Sequence, residues 1–309
     1  AATELAERLN AAAVINPVNL IALTLLATPR HTADEQVLHR LLEHCQALVA
    51  DAPYAPETIP CPLDSMQIVA YVEGLGVAER IPHTLGDLIR IPEGEAPLLA
   101  YFRNNVLHLF ALPALIACLL NQNRHLGLQR LNDAVAGIYS FLETELFLHW
   151  SPEQLPAVSE AIIKVFVKRG LLYRNDTGRL SAPEPNSQEF DELRLLGEIL
   201  RPILERHFLT LALLQHGGSG QLTRRTLEND CHLLAQRMAL LYEFNTPEFS
   251  EKTTFSALIA NFIDANLLRE DENGLLHFDQ RISTPLAHAE LVLPAEARQA
   301  IRRMASANR

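Results

Sequence analysis

The stretch Ala161-Ile-Ile-Lys-Val-Phe-Val-Lys-Arg-Gly170-Leu-Leu-Tyr-Arg-Asn-Asp-Thr-Gly178-Arg-Leu180 sets the expected fold. An apolar helical pattern runs into Gly170, a residue that readily takes the left-handed conformation closing a helix. Two apolar residues and a short strand follow, then the turn Asn175-Asp176-Thr177-Gly178 and a second strand. The same order recurs on both sides. Phe255 to Asn266 leads to Leu267-Leu268-Arg269, the turn Asp271-Glu272-Asn273-Gly274 and Leu275-Leu276-His277-Phe278. Asn273-Gly274 is a strong hairpin-turn pair. Ile68 to Gly76 leads to Val77-Ala78-Glu79-Arg80-Ile81 and then Gly86-Asp87-Leu88-Ile89-Arg90-Ile91. The helix stops Gly76, Gly170 and Asn266 are spaced by 94 and 96 residues. A helix closed by a two-stranded hairpin is the terminal part of a winged-helix unit.

The segments between these stops also correspond. Tyr101 to Leu120 reads as one long helix, answered by Phe190 to Gln215. The loop 121–125 is answered by His216-Gly-Gly-Ser-Gly220, and the helix 128–148 by 222–244. The expected fold is therefore mainly α, with about two and a half helical modules in tandem, each ending in a small winged-helix-like β-hairpin. Residues 1–62 form an N-terminal helical segment and a Pro-rich linker (Pro53, Pro56, Pro60, Pro62). The first module covers 63–160, the second 161–254, and a partial third 255–309. Within the first segment, Asn16-Pro17 supplies a stop and restart, and Thr32 with Glu35 reads as a capping box for the helix carrying Leu38, Leu41, Leu42 and Leu48.

Composition narrows the function classes. The chain has 309 residues and is 48% hydrophobic, enough for a sizeable core. Its formal net charge of −11 opposes a main task of holding phosphate backbones, so no nucleic-acid partner is expected. The adjacent basic pairs Lys168-Arg169, Arg224-Arg225 and Arg302-Arg303 read as solvated helix ends. Cys45, Cys61, Cys118 and Cys231 form no C-x-x-C pair, so neither a zinc site nor a disulfide framework is expected, and a reducing compartment follows. The opening Ala1-Ala-Thr-Glu-Leu5 already lies inside an amphipathic pattern, which predicts missing upstream sequence.

No catalytic constellation is complete. His39 and His44 are five apart and do not share a helix face as zinc ligands would, so an exposed helix surface is expected there. His216 to Gly220 lacks the lysine of a phosphate loop and reads as a linker. His83 and Asp87 have three intervening residues, one short of the histidine-aspartate dyad of glycerolipid acyltransferases. The candidate substrate or membrane contacts are Arg103, Asn104, Asn105 and His108, four polar groups at the head of an apolar run. That run, 106–120, would span roughly 22 Å as a helix, short of a bilayer core of roughly 30 Å. It reads as a buried core helix. No metal, cofactor or catalytic residue is assigned.

At these residues the chain resembles a known family. Asn16-Pro-Val-Asn-Leu-Ile-Ala-Leu-Thr-Leu-Leu-Ala-Thr-Pro-Arg-His31 and Tyr101-Phe-Arg-Asn-Asn-Val-Leu-His-Leu-Phe-Ala-Leu-Pro-Ala-Leu115 resemble the large, membrane-bound bacterial glycerol-3-phosphate 1-O-acyltransferases. Gly86-Asp-Leu-Ile, Glu145-Leu-Phe-Leu-His-Trp150, and Thr226-Leu-Glu with Ala235-Gln-Arg237 are similar to the same family, in family order. The resemblance implies the C-terminal region of an enzyme moving an acyl group from acyl-CoA or acyl carrier protein to glycerol 3-phosphate, giving lysophosphatidate. It implies an upstream acyltransferase domain that holds the dyad, and a place at the cytoplasmic face of the bacterial inner membrane. The rival expectation is a freestanding winged-helix-like adaptor that binds a protein.

Overall fold

The computed structural model describes residues 2–242 and 251–307. They form a mainly helical chain with short sheets of two or three strands, dividing into two compact units: 1–136 with 146–200, and 137–145 with 201–309.

The first unit opens with α1 (Ala2–Ala11) and α2 (Pro17–Leu25). Asn16 caps α2 reciprocally with Asn19, and Pro17 sits in the first turn, where its missing N–H costs nothing. A 3₁₀ turn (Pro29–His31) leads to β1 (Thr32–Asp34) and α3 (Glu35–Asp51). The expected Thr32 capping box does not form. Thr32 lies in β1, and Asp34 Oδ1 caps α3 instead, accepting from the amides of Gln36 (2.9 Å) and Val37 (3.3 Å). A carboxylate adjacent to the first turn does this directly. Next come α4 (Ser65–Gly74), β2 (Glu79–Ile81) and β3 (Leu88–Arg90). The Pro-rich stretch before α4 is tied down rather than free. Tyr54, Ala55 and Cys61 are buried, and residues 13–15 exchange two backbone hydrogen bonds of 2.9 Å with Ile59.

Then follow α5 (Ala96–Asn104), α6 (Leu107–Gln122), β4 (His125–Leu126) and α7 (Leu128–Leu146), whose residues belong partly to each unit. The expected continuous helix from Tyr101 to Leu120 is broken: α5 and α6 meet at 91°. Asn104, Asn105 and the β-branched Val106 are weak helix formers at the break. There the backbone turns through i→i−3 bonds, Val106 to Arg103 and Leu109 to Val106, both 3.0 Å. The unit closes with α8 (Leu155–Lys168), β5 (Tyr173–Arg174), β6 (Leu180–Ser181) and α9 (Gln188–Glu198).

The second unit holds α10 (Arg201–Gly217), α11 (Arg224–Tyr242), α12 (Lys252–Asp264), β7 (Arg269–Glu270), β8 (Leu276–His277), α13 (Ser283–Val292) and α14 (Ala295–Ala307). The expected helix 190–215 is thus two helices. Pro202 forbids a continuous one, because its ring lacks the N–H and would collide with the carbonyl one turn back. Of the expected helix 222–244, positions 243 and 244 lie outside the described residues.

The hairpins pair alike. β3 lies between β1 and β2, with Ile89 opposite both Ala33 and Arg80. β6 lies between β4 and β5, with Leu180 opposite both Leu126 and Arg174. β8 pairs with β7, and Thr223 bridges Leu275 beside it. The three helix stops also coincide in geometry. Gly76, Gly170 and Asn266 have φ of 70°, 74° and 55°. The amide directly after each stop reaches back five residues: Val77 to Val72 (3.0 Å), Leu171 to Phe166 (2.8 Å) and Leu267 to Phe262 (2.9 Å). This is the Schellman closure, in which a left-handed residue lets the last carbonyls find donors.

A side chain at Gly170 would meet no atom closer than 3.9 Å, so only backbone strain opposes one. Gly170→Ala is expected to cost about 1–2 kcal/mol. Gly74→Ala, at a helical φ with open space, is expected to be neutral or stabilising by up to about 1 kcal/mol. Urea denaturation of both variants checks this; equal effects would contradict it.

Candidate functional site

The four candidate residues all lie at the elbow between α5 and α6, but in different environments. Asn104 and Asn105 are exposed, whereas Arg103 and His108 are buried at 6% and 4%. Arg103 donates from Nε (3.2 Å) and Nη2 (3.0 Å) to Asn104 Oδ1, bracing the last turn of α5. His108 Nε2 lies 3.1 Å from the carbonyl oxygen of Asn10, at the end of α1. Tyr54 meets the His108 ring edge to face at 5.1 Å and packs similarly on His149 and Trp150. Asn10 also donates to the carbonyls of Leu146 (2.8 Å) and Phe147 (3.1 Å).

Burial drops the His108 pKa to about 4, so the ring is neutral at pH 7 and donates its Nε2–H to Asn10. Burial likewise raises the Tyr54 hydroxyl to about 12. A neutral imidazole is a competent base in principle. Here its Nε2 proton is committed to a carbonyl, and among the described residues no carboxylate is hydrogen-bonded to the ring to orient it. The cluster joins α1, the Pro-rich stretch, α6 and the segment after α7.

His83 and Asp87 come close without forming a dyad. His83 Nδ1 accepts from the Leu85 amide at 3.1 Å, and the Asp87 carboxylate accepts from the His83 backbone amide at 3.3 Å. Arg80 gathers Glu35 (2.7 Å), Glu73 (2.9 Å) and Asp87 (3.1 Å). Its hydrogen bond is the main reason that Asp87 stays below the usual carboxylate range. The arrangement pins the first hairpin to α3 and α4.

The most constrained polar group is Glu192 on α9, only 2% exposed. Arg40 Nε and Gln188 Nε2 (2.8 Å) donate to its Oε1, and His44 Nε2 to its Oε2 at 2.7 Å. Arg169 completes the chain, donating to His44 Nδ1 (3.0 Å) and to Glu43 (3.0 Å). That fixes the His44 hydrogen on Nε2. His44, expected on an exposed helix surface, is therefore 3% exposed and forms part of a buried carboxylate clamp. Burial pushes the Glu192 pKa up, but hydrogen bonds from His44, Gln188 and Arg40 outweigh it and hold the pKa at about 2. The local signal for this cluster is a glutamate three and four places before Leu195 and Leu196, inside the apolar stripe of α9. Its partners lie roughly 150 residues away (separations of 152 and 148), beyond the reach of any local pattern.

In the second unit, Arg206 donates to Glu145 Oε1, and His207 Nε2 lies 3.2 Å from Glu145 Oε2. A cavity of about 30 Å³ beside them is lined mainly by Phe141, Leu204, Phe208 and other apolar side chains. The four cysteines are buried, and no group of three metal-ligating side chains occurs among the described residues.

Comparison with known proteins gives these arrangements a context. The family described as glycerol-3-phosphate acyltransferase C-terminal region matches residues 1–271. The chain is 38% identical over 306 residues to glycerol-3-phosphate acyltransferase of Pseudomonas paraeruginosa, and 36% identical over 306 residues to that of Xylella fastidiosa strain M12. Each match takes in 98% of this chain but 36% of the relative. The chain belongs to the family of glycerol-3-phosphate acyltransferase C-terminal regions, and it spans about a third of the length of these relatives.

Glu192→Gln removes the charge that Arg40 and His44 face, at an expected cost of about 3 kcal/mol. With its pKa near 2 in the folded chain and an ordinary value near 4.5 when unfolded, Glu192 contributes stability above pH 4.5 that fades as pH falls towards 2. Urea titrations at pH 6, 4 and 2.5 should show a steeper loss for the wild type than for Glu192→Gln. Parallel losses would contradict the clamp.

Proposed function

We propose that this chain is the non-catalytic C-terminal region of a glycerol-3-phosphate 1-O-acyltransferase. The parent enzyme moves an acyl group from acyl-CoA or acyl carrier protein to the 1-hydroxyl of glycerol 3-phosphate, giving lysophosphatidate for phospholipid synthesis. The observation that carries this reading is the family match over residues 1–271 by a chain spanning only 36% of its relatives. The reacting groups then belong to an upstream acyltransferase domain, which is the principal partner. The contacts of His83, Asp87 and His108 support that division, because each serves local structure.

The region packs on that domain and on the membrane surface at the cytoplasmic face of the bacterial inner membrane. No single helix among the described residues is long and apolar enough to cross a membrane. α5 and α6 together are, but every residue of 107–120 is buried, which supports a core role for α6. Of the four elbow residues, Asn104 and Asn105 are exposed, which supports them as the contacts with substrate or lipid.

We further read the fold as three winged-helix-like modules in tandem, starting at α2, α6 and α10. The hairpin pairings and the three Schellman closures support this phase, two helices ahead of the boundaries expected at 63, 161 and 255. The exposed turn residues 175–177 and 272–273 favour a second reading, a protein-interaction adaptor without an enzymatic parent.

The purified chain, assayed with an acyl-CoA and glycerol 3-phosphate, is expected to give no turnover, and deleting this region from a full-length relative is expected to abolish activity. Turnover by the chain alone would contradict the non-catalytic assignment. A relative fully active without the region would favour the adaptor.

A further inference from the structure

On the winged-helix-like reading, α4, α8 and α12 hold the same place, that of the helix which meets the ligand in a helix-turn-helix unit. The three copies differ there. α8 exposes Lys164 and Lys168, and α12 exposes Lys252 and Asp264. α4 buries Ile68, Val69 and Val72 on one side and exposes Met66, Ala70, Tyr71 and Gly74 on the other, with Leu75 exposed at its end. Met66, Tyr71 and Leu75 are 72%, 49% and 55% exposed. Glu73 is the only charged residue of α4, and Arg80 binds it at 2.9 Å. A helix apolar on both faces is normally enclosed. Within this chain α4 is covered on one face alone.

The hairpin beside it continues the contrast. The second and third hairpins expose polar turn residues, 175–177 and 272–273, whereas the first exposes Leu85, at 89%. The loop that carries Leu85 is braced. His83 Nδ1 accepts from the Leu85 amide (3.1 Å), the His83 carbonyl from the Gly86 amide (3.1 Å), and Asp87 from the His83 amide (3.3 Å). Arg80 ties this hairpin to the helix, reaching Asp87 and Glu73 as well as Glu35 on α3. Three carboxylates on one guanidinium leave two negative charges in excess at the edge of the apolar face.

We infer that α4 and the tip of the first hairpin form the face on which the upstream acyltransferase domain docks, by an apolar surface edged with basic side chains. This rests on the proposal that the chain is part of a larger enzyme, of whose relatives it spans 36%. Met66, Tyr71, Leu75 and Leu85 expose on the order of 500 Å² in all, the size of a functional patch. A stable complex of separate proteins takes roughly 800 Å² on each side. A tethered domain needs less, because the tether holds it at an effective concentration in the millimolar range. The acidic edge opposes an anionic bilayer, and a second copy would bring two such edges into one interface.

Cysteine labelling tests this, because the four native cysteines of the chain are buried. Ala70→Cys and Leu85→Cys report on the face, and Lys164→Cys serves as reference on the matching position of α8. In the purified chain all three are expected to react rapidly with a maleimide, read site by site by mass spectrometry. The second context is the full-length Pseudomonas paraeruginosa relative with this chain in place of its 306 matched residues. There, positions 70 and 85 are expected to react more slowly by about tenfold or more, and position 164 at an unchanged rate. Tyr71→Glu combined with Leu75→Glu should restore rapid labelling at 85 without altering the circular dichroism of the isolated chain. The same cysteines at the aligned positions of the unmodified relative repeat the measurement in a naturally joined protein. Unchanged labelling at 70 and 85 in a full-length protein that transfers acyl groups overturns the inference and leaves the proposed function standing. Full acyl transfer after deletion of the region overturns both. Slowing in the isolated chain on addition of phosphatidylserine vesicles, or with rising chain concentration, overturns the inference in favour of a membrane or a second copy.

Discussion

Fourteen consecutive buried residues, Leu107 to Leu120, leave α6 no face for water. A helix apolar on every side must be enclosed, and here α3, α5, α8 and α9 enclose it. Much of the first unit follows from that demand. α9 approaches α6 so closely that a side chain at Gly197 would sit 3.3 Å from the Cys118 backbone nitrogen and 3.0 Å from Asn121 Nδ2. The Cys118 thiol donates to the Gly197 carbonyl at 3.2 Å. The enclosure is strong enough to accommodate Pro113 in the helix interior, a substitution that costs about 3 kcal/mol in an exposed helix.

Enclosing α6 brings α9 and α8 against α3, and there the polar interactions become specific. Glu192 would be a severe liability if unpaired, and Arg40, His44 and Gln188 make it a lock on the helix packing. The polar residues at the elbow work in a similar way. His108 ties the first turn of α6 to α1 through Asn10, and Arg103 braces the turn that redirects the chain by 91°. In the second unit α10 is buried over Ile203–Leu214, but it carries Glu205 and Arg206 inside. Arg201 and Glu145 neutralise them. In each of these clusters the polar contacts join helices or brace a turn.

Local features were legible in the sequence, and long-range ones were not. Gly76, Gly170 and Asn266 could be read as helix stops because the left-handed backbone restricts residue type, and the three hairpins followed from turn residues. The elbow is hidden because apolar segments flank it on both sides, and the short polar stretch Arg103-Asn104-Asn105 fits one turn of a continuous helix as well as a change of direction. Pro202 marks the break between α9 and α10, and the apolar periodicity on both sides hides it. Of the candidate site, the position of the polar residues at the head of α6 was legible. The division into exposed Asn104 and Asn105 and buried Arg103 and His108 depends on Tyr54 and Asn10, far away in sequence. The Glu192 clamp joins residues 40, 44, 169 and 192, which no local window contains.

The central claim is that α6 is a core helix enclosed by protein, around which the first unit is built. Hydrogen–deuterium exchange of the α6 amides, with and without lipid vesicles, tests this most directly. The account predicts amides at 111–120 that exchange as slowly as global unfolding allows in the absence of lipid, with no further protection when vesicles are added. Rapid exchange that slows only on lipid addition would show that α6 is enclosed by the membrane instead, and would contradict the account.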